Sequence, residues 1–269
     1  MIIMDMDPGI DDAIALILAL RAGKVDAITT VYGNVEVEQS SINALKILDA
    51  LNYDIPVYKG ASKPLIREAV YAKEIHGYDG IGESNLYTNR VPLPIKMIKL
   101  DNHTIIATGP LTNLINSNAR FYIMGGIYNH KQKGNITCDA EFNFYSDPEA
   151  ADLVLKKDVV ACGLDLTLEP KCVIDHDFMD ILYAINTPSA RLAYKILKYP
   201  INKFGLFHLH DVFALFAYIA EDIFEYKRLK VRMDNTKRGK CLIEEGGNVK
   251  VCISIDTEAF KKLLLELLK

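Results

Sequence analysis

Four carboxylates crowd into eight residues near the start of the chain. In MIIMDMDPGIDDAIALILAL, Asp5, Asp7, Asp11 and Asp12 stand between an apolar run at residues 2–4 and a helix-like run at 11–22. Pro8 and Gly9 turn the chain, and Asp11 and Asp12 then open the helix. A helix N-terminus favours negative charge, but one dipole cannot offset four close carboxylates. Like charges at short range raise one another's pKa. A bound divalent cation resolves the conflict, and an all-oxygen donor set suits calcium or magnesium rather than zinc. The plainer alternative makes Asp11 and Asp12 ordinary first-turn residues and Asp5 a surface residue at a strand end. A second candidate lies in HLHDVFALFAYIAEDIF, where His210 and Asp211 precede an apolar run that reads as a buried helix. Asp211 there either faces a site or caps the helix.

The elements that must hold these groups alternate. IIM is followed by a helical pattern, AITTV by VEQSSINALKILDAL, then IPVY; TIIAT leads into LTNLINSN, FYIMGG into PEAADLVLKK, and VVACGLDLT follows. Strand and helix in turn imply βαβ units and a mostly parallel sheet. The expected fold is therefore α/β: a single domain over residues 1–269, with a mostly parallel, Rossmann-like central sheet flanked by helices. The polar clusters DMDPGIDD, YGN, TGPLTN, GGIYN and GLDLT each follow an apolar run. Sites in parallel α/β sheets form beyond the carboxyl ends of the strands, so these clusters should share one sheet edge. Two less regular stretches, 65–93 and 128–144, read as long loops over that edge. RLKVRM, KCLIEE and VKVCISI read as C-terminal strands before a closing helix at 257–268.

Composition narrows the function. The chain has 269 residues, half of them hydrophobic, which suffices for a large core. The net charge of -4, with Lys and Arg scattered, argues against nucleic acid. The apolar stretch 13–20 falls short of the ~20 residues that a membrane span needs, and the N-terminus lacks a signal-peptide pattern. A cytoplasmic protein with no membrane partner is expected. The five cysteines form no CxxC pair and read as buried free thiols.

DMDPGIDDAIAL resembles the DxDPGxDDAxA signature of the inosine–uridine type nucleoside hydrolases. TTVYGN, KPL, EIHGYDG, ATGPLTN, MGG, AEFNFYSDPEAA, GLDLT and LHD follow in the family's order, as do Arg238 with Gly239 and Asp256 with Phe260. The resemblance implies the nucleoside hydrolase fold and hydrolysis of the N-glycosidic bond of ribonucleosides to free base and ribose. It implies one calcium ion held by Asp7, Asp12, Asp211 and the Thr108 carbonyl. A metal-activated water would attack C1′ through an oxocarbenium-like transition state, with Asp7 as general base and Asn34 beside the water. Asp11, Asn135, Glu141 and Asn143 would bind the ribose hydroxyls, with Asp211 also touching substrate and Met124 lining the sugar pocket. His210 matches the histidine placed to protonate the leaving base, and His76 would contact the base or the ribose.

The chain lacks tryptophan, on which the purine-preferring branch of the family is built. A nonspecific or pyrimidine-preferring enzyme is expected instead. Residues 198–210, with Tyr199, Phe204 and Phe207, could complete the base pocket, or these aromatics could be core. His103, His130, His176 and His208 have no matching role and read as surface or supporting residues. Family likeness implies a homodimer or homotetramer acting in nucleoside salvage. The chain departs from the family by shortening between Asn89 and Leu111 and by Val212 in place of a proline. Two rivals remain: a nucleoside-binding protein with a modified site, and a haloacid dehalogenase-type phosphatase, which shares DxD after a first strand but requires a Thr or Val where Pro8 and Gly9 follow.

Overall fold

The computed structural model describes residues 1–129 and 131–269, so His130 lies outside the described residues. The chain opens with β1 (Ile2–Met6), α1 (Ile10–Arg21), β2 (Ala27–Thr30), α2 (Val37–Ala50) and β3 (Val57–Lys59). A four-residue helix, α3 (Lys73–His76), interrupts the first long loop before the short edge strand β4 (Leu93–Pro94). Next come β5 (Thr104–Ala107), β6 (Arg120–Met124), α4 (Phe142–Ser146), α5 (Pro148–Val154), β7 (Val159–Cys162) and α6 (Leu164–Thr167). Three helices follow without a strand between them: α7 (His176–Ala184), α8 (Pro188–Phe204) and α9 (His210–Ile219). The chain closes with β8 (Phe224–Met233), β9 (Cys241–Glu245), β10 (Val249–Ile255) and α10 (Thr257–Leu268).

The ten strands of the described residues form one sheet in the order β4-β3-β2-β1-β5-β6-β7-β10-β8-β9. The strands from β4 through β7 to β10 pair in parallel, and β8 and β9 add an antiparallel margin. The chain winds outward from β1 to β4, then returns to β1's other side at β5. Strand order therefore reverses between β1 and β5, and a crevice opens at the carboxyl ends of strands at such a point.

Side-chain alternation divides the core between the two sheet faces. Met4 and Met6 join the larger cluster with α1, α9 and α10, while Ile3 joins the smaller one with α5 and β8. Helix α1 is buried from Ile10 to Leu20 and packs against α9, α8 and α10. A helix apolar on all sides has no solvent face, so its axis, and with it the direction of its N-terminus, is fixed by packing. Among the described residues no helix is long and apolar enough to cross a membrane.

Several expectations need correction. Strand β1 extends two residues further than the apolar run, and Asp5 is fully buried inside the sheet rather than at its surface. Thr29 Oγ1 and Asn113 Nδ2 donate to Asp5 Oδ1 and make that burial tolerable. Cys138 is exposed, because it lies in the loop before α4; the other four cysteines are buried free thiols. Tyr199 belongs to α8 and packs on the core, not in the cleft, since the helix continues through Pro200 to Phe204.

Candidate active site

The turn after β1 carries Asp7 to the β1–β5 crevice. Its carboxylate lies between two backbones: a Cβ on Gly33 would sit 1.9 Å from Oδ2, and one on Gly109 would sit 2.5 Å from Oδ1. Glycine is needed at both places because any side chain would occupy the carboxylate's space. Asp7 Oδ2 accepts the Asn34 N–H at 2.7 Å, whereas Asp7 Oδ1 is buried with no partner among the described residues. Asp12, in the first turn of α1, accepts from Gly9 N at 2.9 Å and from Asn34 Nδ2 at 3.1 Å through Oδ2. Its Oδ1 accepts from Thr108 Oγ1 at 2.7 Å. Asn34, just beyond β2, thus ties Asp7 and Asp12 together, and Thr108, just beyond β5, closes the other side.

Helix α9 brings Asp211 in its own first turn to the same point. Carboxylate oxygens of Asp11, Asp12 and Asp211 all lie within 4.8 Å of one another. Asp11 Oδ1 is a second buried oxygen with no partner among the described residues. Burial pushes Asp7, Asp11, Asp12 and Asp211 above the ordinary carboxylate range, Asp11 to about 8. Repulsion by Asp12 adds to the rise for Asp7 and Asp11, and repulsion by Asp11, Asp12 and Asp7 adds to it for Asp211. Two helix N-termini help but do not cancel this cluster. The donors are hard oxygens, two are unsatisfied, and the repulsion needs a positive charge, so the residues fit a divalent cation. The tight trio contains Asp11, which sequence resemblance assigns to ribose, in addition to Asp12 and Asp211; Asp7 and Thr108 flank it.

Above this floor lies a cleft of about 410 Å³, within the size range of small-molecule sites. The structure brings Asp11, Asn34, His76, Thr108, Met124, Asn135, Glu141, Asn143, His210 and Asp211 to its walls, with Asp7 and Asp12 beneath. Asn143 Nδ2 donates to the Thr108 carbonyl at 2.8 Å and the Met124 carbonyl at 3.2 Å, which leaves its amide oxygen as an acceptor for the cleft. Glu141 caps α4, accepting from Asn143 N at 2.7 Å and Gly126 N at 2.8 Å. Its burial still raises the carboxyl to about 7. Asn135 Oδ1 accepts from Phe142 N at 2.9 Å, which pins its loop against the start of α4 and leaves its NH₂ group to donate.

Two histidines form the far wall. His76 Nδ1 accepts the Ile10 N–H at 3.0 Å, so its approach of 3.9 Å to Asp11 is not an ion pair. Burial lowers His76 to about 4. His210 is lowered to about 3 by burial and then by the neighbouring rings of His208 and His76. Both are therefore neutral near pH 7, each with one ring N–H to offer.

Toward solvent the cleft becomes apolar. Phe204 is 43% exposed and Leu206 49%, beside Phe207 and Ile75. The sequence missed His208, which lines the cleft and stacks on His210 at 5.7 Å, as well as Leu206 and Ile75. His208 sits two residues before His210, and that spacing was its only signal.

Comparison with known proteins agrees across the chain. The family model described as inosine-uridine preferring nucleoside hydrolase matches residues 2–262. The non-specific ribonucleoside hydrolase RihC of Escherichia coli O9:H4 (strain HS) is 33% identical over 302 residues, covering 99% of this chain and 97% of that protein. A plant nucleoside hydrolase, PpNRh1, superimposes with a TM-score of 0.88 at 27% identity, covering 99% and 98% of the two chains. The purine-preferring ribonucleoside hydrolase from Gardnerella vaginalis shares the fold, with a TM-score of 0.88 at 23% identity over 99% and 97%. With its buried carboxylates at the strand-order reversal and its family motifs in sequence order, the chain belongs to the inosine-uridine preferring nucleoside hydrolases, enzymes that hydrolyse N-glycosyl bonds.

Proposed function

We propose that this enzyme hydrolyses ribonucleosides to free base and ribose with little base preference, and that its cation is calcium. The observation that carries this reading is the buried quartet Asp7, Asp11, Asp12 and Asp211, with the unpaired Asp7 Oδ1 at the cleft floor. Asp7, Asp12, Asp211 and the Thr108 carbonyl would hold the ion. When bound, calcium would keep these carboxylates ionised and acidify a water in its shell.

The residues of the chain divide the remaining work. Asp7 Oδ1 has no hydrogen bond to surrender and takes the proton of the attacking water. Asn34 bonds the Asp7 backbone and the Asp12 carboxylate through Nδ2, so it holds both and its amide oxygen would be left to accept from the water. Water oxygen bonds to C1′ as the C1′–N bond breaks and its electron pair leaves with the base. Positive charge grows on the ribosyl ring, as in glycoside hydrolysis generally, and the surrounding carboxylates stabilise it. Asp11, Glu141, Asn143 and Asn135, all on the cleft wall, would fix the ribose hydroxyls, with Met124 lining the sugar pocket. His76 and His210 offer N–H groups to the base, and the apolar mouth covers its faces without reading its edges. That wall chemistry, the absence of tryptophan and the non-specific RihC relative support weak base preference.

Release of ribose from inosine, uridine and cytidine by the purified protein tests the reading. Turnover of all three within about tenfold in kcat/KM, a spread of about 1.4 kcal/mol, is expected. Tight nucleoside binding without ribose release would instead identify a binding protein with a modified site.

A further inference from the structure

Segment 163–167, GLDLT, has no part in the cleft described above, yet its last residue reaches the cleft's far wall from behind. Thr167 ends α6, is 1% exposed, and places Oγ1 2.7 Å from His210 Nδ1. It does not line the cleft, whereas His210 does. The Nδ1 edge of the ring is therefore turned away from the cleft. His210 Nε2 is neither bonded nor sealed from solvent among the described residues.

Two arrangements of the hydrogen are available. If His210 Nδ1–H donated to Thr167, the hydroxyl hydrogen would be left buried without an acceptor, since Oγ1 has no other partner among the described residues. A buried unsatisfied donor costs about 1–3 kcal/mol. If the hydroxyl donates to Nδ1, both groups are satisfied, and the ring's one hydrogen must sit on Nε2. His208, stacked on the ring face at 22° between planes, restrains the ring's tilt.

We propose that Thr167 is a positioning residue that locks His210 as the Nε2–H tautomer, with that N–H turned into the cleft toward the departing base. This rests on the nucleoside hydrolase reading of the site. As C1′–N breaks, the electron pair passes to the base, and Nε2–H donates a hydrogen bond to an acceptor on it. The hydrogen stays on Nε2, because Nδ1 is already filled by the Thr167 hydroxyl and loss of Nε2–H would leave an imidazolate. The base takes its proton afterwards from solvent, which receives in turn the proton carried by Asp7, so the balance closes. Leaving-group stabilisation thus comes from a fixed neutral donor.

The test compares Thr167→Val, which keeps the shape and removes the hydroxyl, with Thr167→Ser, which keeps the donor. Each is assayed on inosine, on uridine and on 4-nitrophenyl β-D-ribofuranoside, whose leaving group departs as a stable anion without help. Thr167→Val should lower kcat on both nucleosides by roughly 10- to 100-fold. Its KM and its riboside cleavage should stay within about threefold, and Thr167→Ser should restore nucleoside turnover. Nitrogen NMR of histidine-labelled wild type, with His210 assigned from the spectrum of His210→Gln, should show hydrogen on Nε2 alone. Equal loss on nucleosides and riboside, unchanged nucleoside turnover in Thr167→Val, or an Nδ1–H signal in wild type would overturn the proposal. If wild type cleaves neither nucleoside nor riboside, the hydrolase reading fails, and the NMR signature still decides the role of Thr167. The same spectrum decides it if Thr167→Val does not fold.

Discussion

The floor of the cleft and its far wall are built by opposite means. The floor comes mostly from one strand–turn–helix unit: Asp7, Asp11 and Asp12 lie within six residues, all buried, with Asn34 and Thr108 bonded to them from the adjacent strand ends and Asp211 added from α9. The wall joins two segments far apart in sequence, His76 and the stretch 204–210 with Phe204, Leu206, His208 and His210, and Phe204 and Leu206 are nearly half exposed. In the proposed function the floor would meet what every ribonucleoside shares, the ribose and its C1′ bond, and the wall what differs, the base. Rigid placement suits a step that is sensitive to small displacements, and an apolar, exposed wall accepts bases of different shape.

Breaking the floor should therefore abolish turnover on every substrate alike. Asp7→Ala removes the proton acceptor and one cluster charge, and kcat on inosine, uridine and cytidine should fall by about 10³-fold or more. Loss on one nucleoside alone would break the comparison. His210→Ala, on the wall, should cost roughly 10²- to 10³-fold on nucleosides, the loss expected for one preorganised donor. It should spare 4-nitrophenyl riboside, which the floor can cleave without leaving-group help.

Removal of the cation separates the two regions by stability. Chelation should destabilise the protein, and calcium at 100 times its Kd should restore about 2.7 kcal/mol, read as a rise in Tm. Phe204→Ala and Leu206→Ala should leave that calcium response unchanged. They should shift the inosine-to-uridine ratio of KM only a fewfold, because each removes exposed apolar contact alone.

The smallest effect on turnover is expected beneath the floor, at Asp5. Burial raises its carboxyl from 3.8 to about 7. The folded chain then keeps a proton that the unfolded chain releases, so this group's stabilisation is lost as pH rises from about 4 to about 7 and is flat above. Asp5→Asn should remove that slope. Denaturant unfolding of both proteins across the range checks it, and parallel pH curves for the two would exclude Asp5 as the source.

How legible each region was follows from the same contrast. DMDPGIDD spelled the floor because turn residues, first-turn acids and apolar periodicity all fall in one short window. Asn34 and Thr108 could be placed because each follows an apolar strand, and parallel strands end at one sheet edge. Wall residues carry no such local mark. Thr167 and His210 are 43 residues apart, and only the packing of α6 beside α9 brings them together. The sequence left Tyr199, Phe204 and Phe207 open between base pocket and core; α8 carries on through Pro200 to Phe204, so Tyr199 faces core while Phe204 and Phe207 reach the cleft. The plainer alternative put Asp5 at the surface because a charged residue directly after an apolar run looks like a strand end. Its hydrogen bonds to Thr29 and Asn113, which permit burial, come from separate elements.

Nucleoside hydrolysis, in the function proposed, depends on a calcium ion held by the buried carboxylates. The most direct measurement is ribose release from inosine by chelator-stripped enzyme as calcium is titrated back, beside Asp7→Ala under the same conditions. Negligible release without calcium, saturable recovery as calcium is added, and none in Asp7→Ala are expected. Full activity in the stripped enzyme, or undiminished activity in Asp7→Ala, would contradict that dependence.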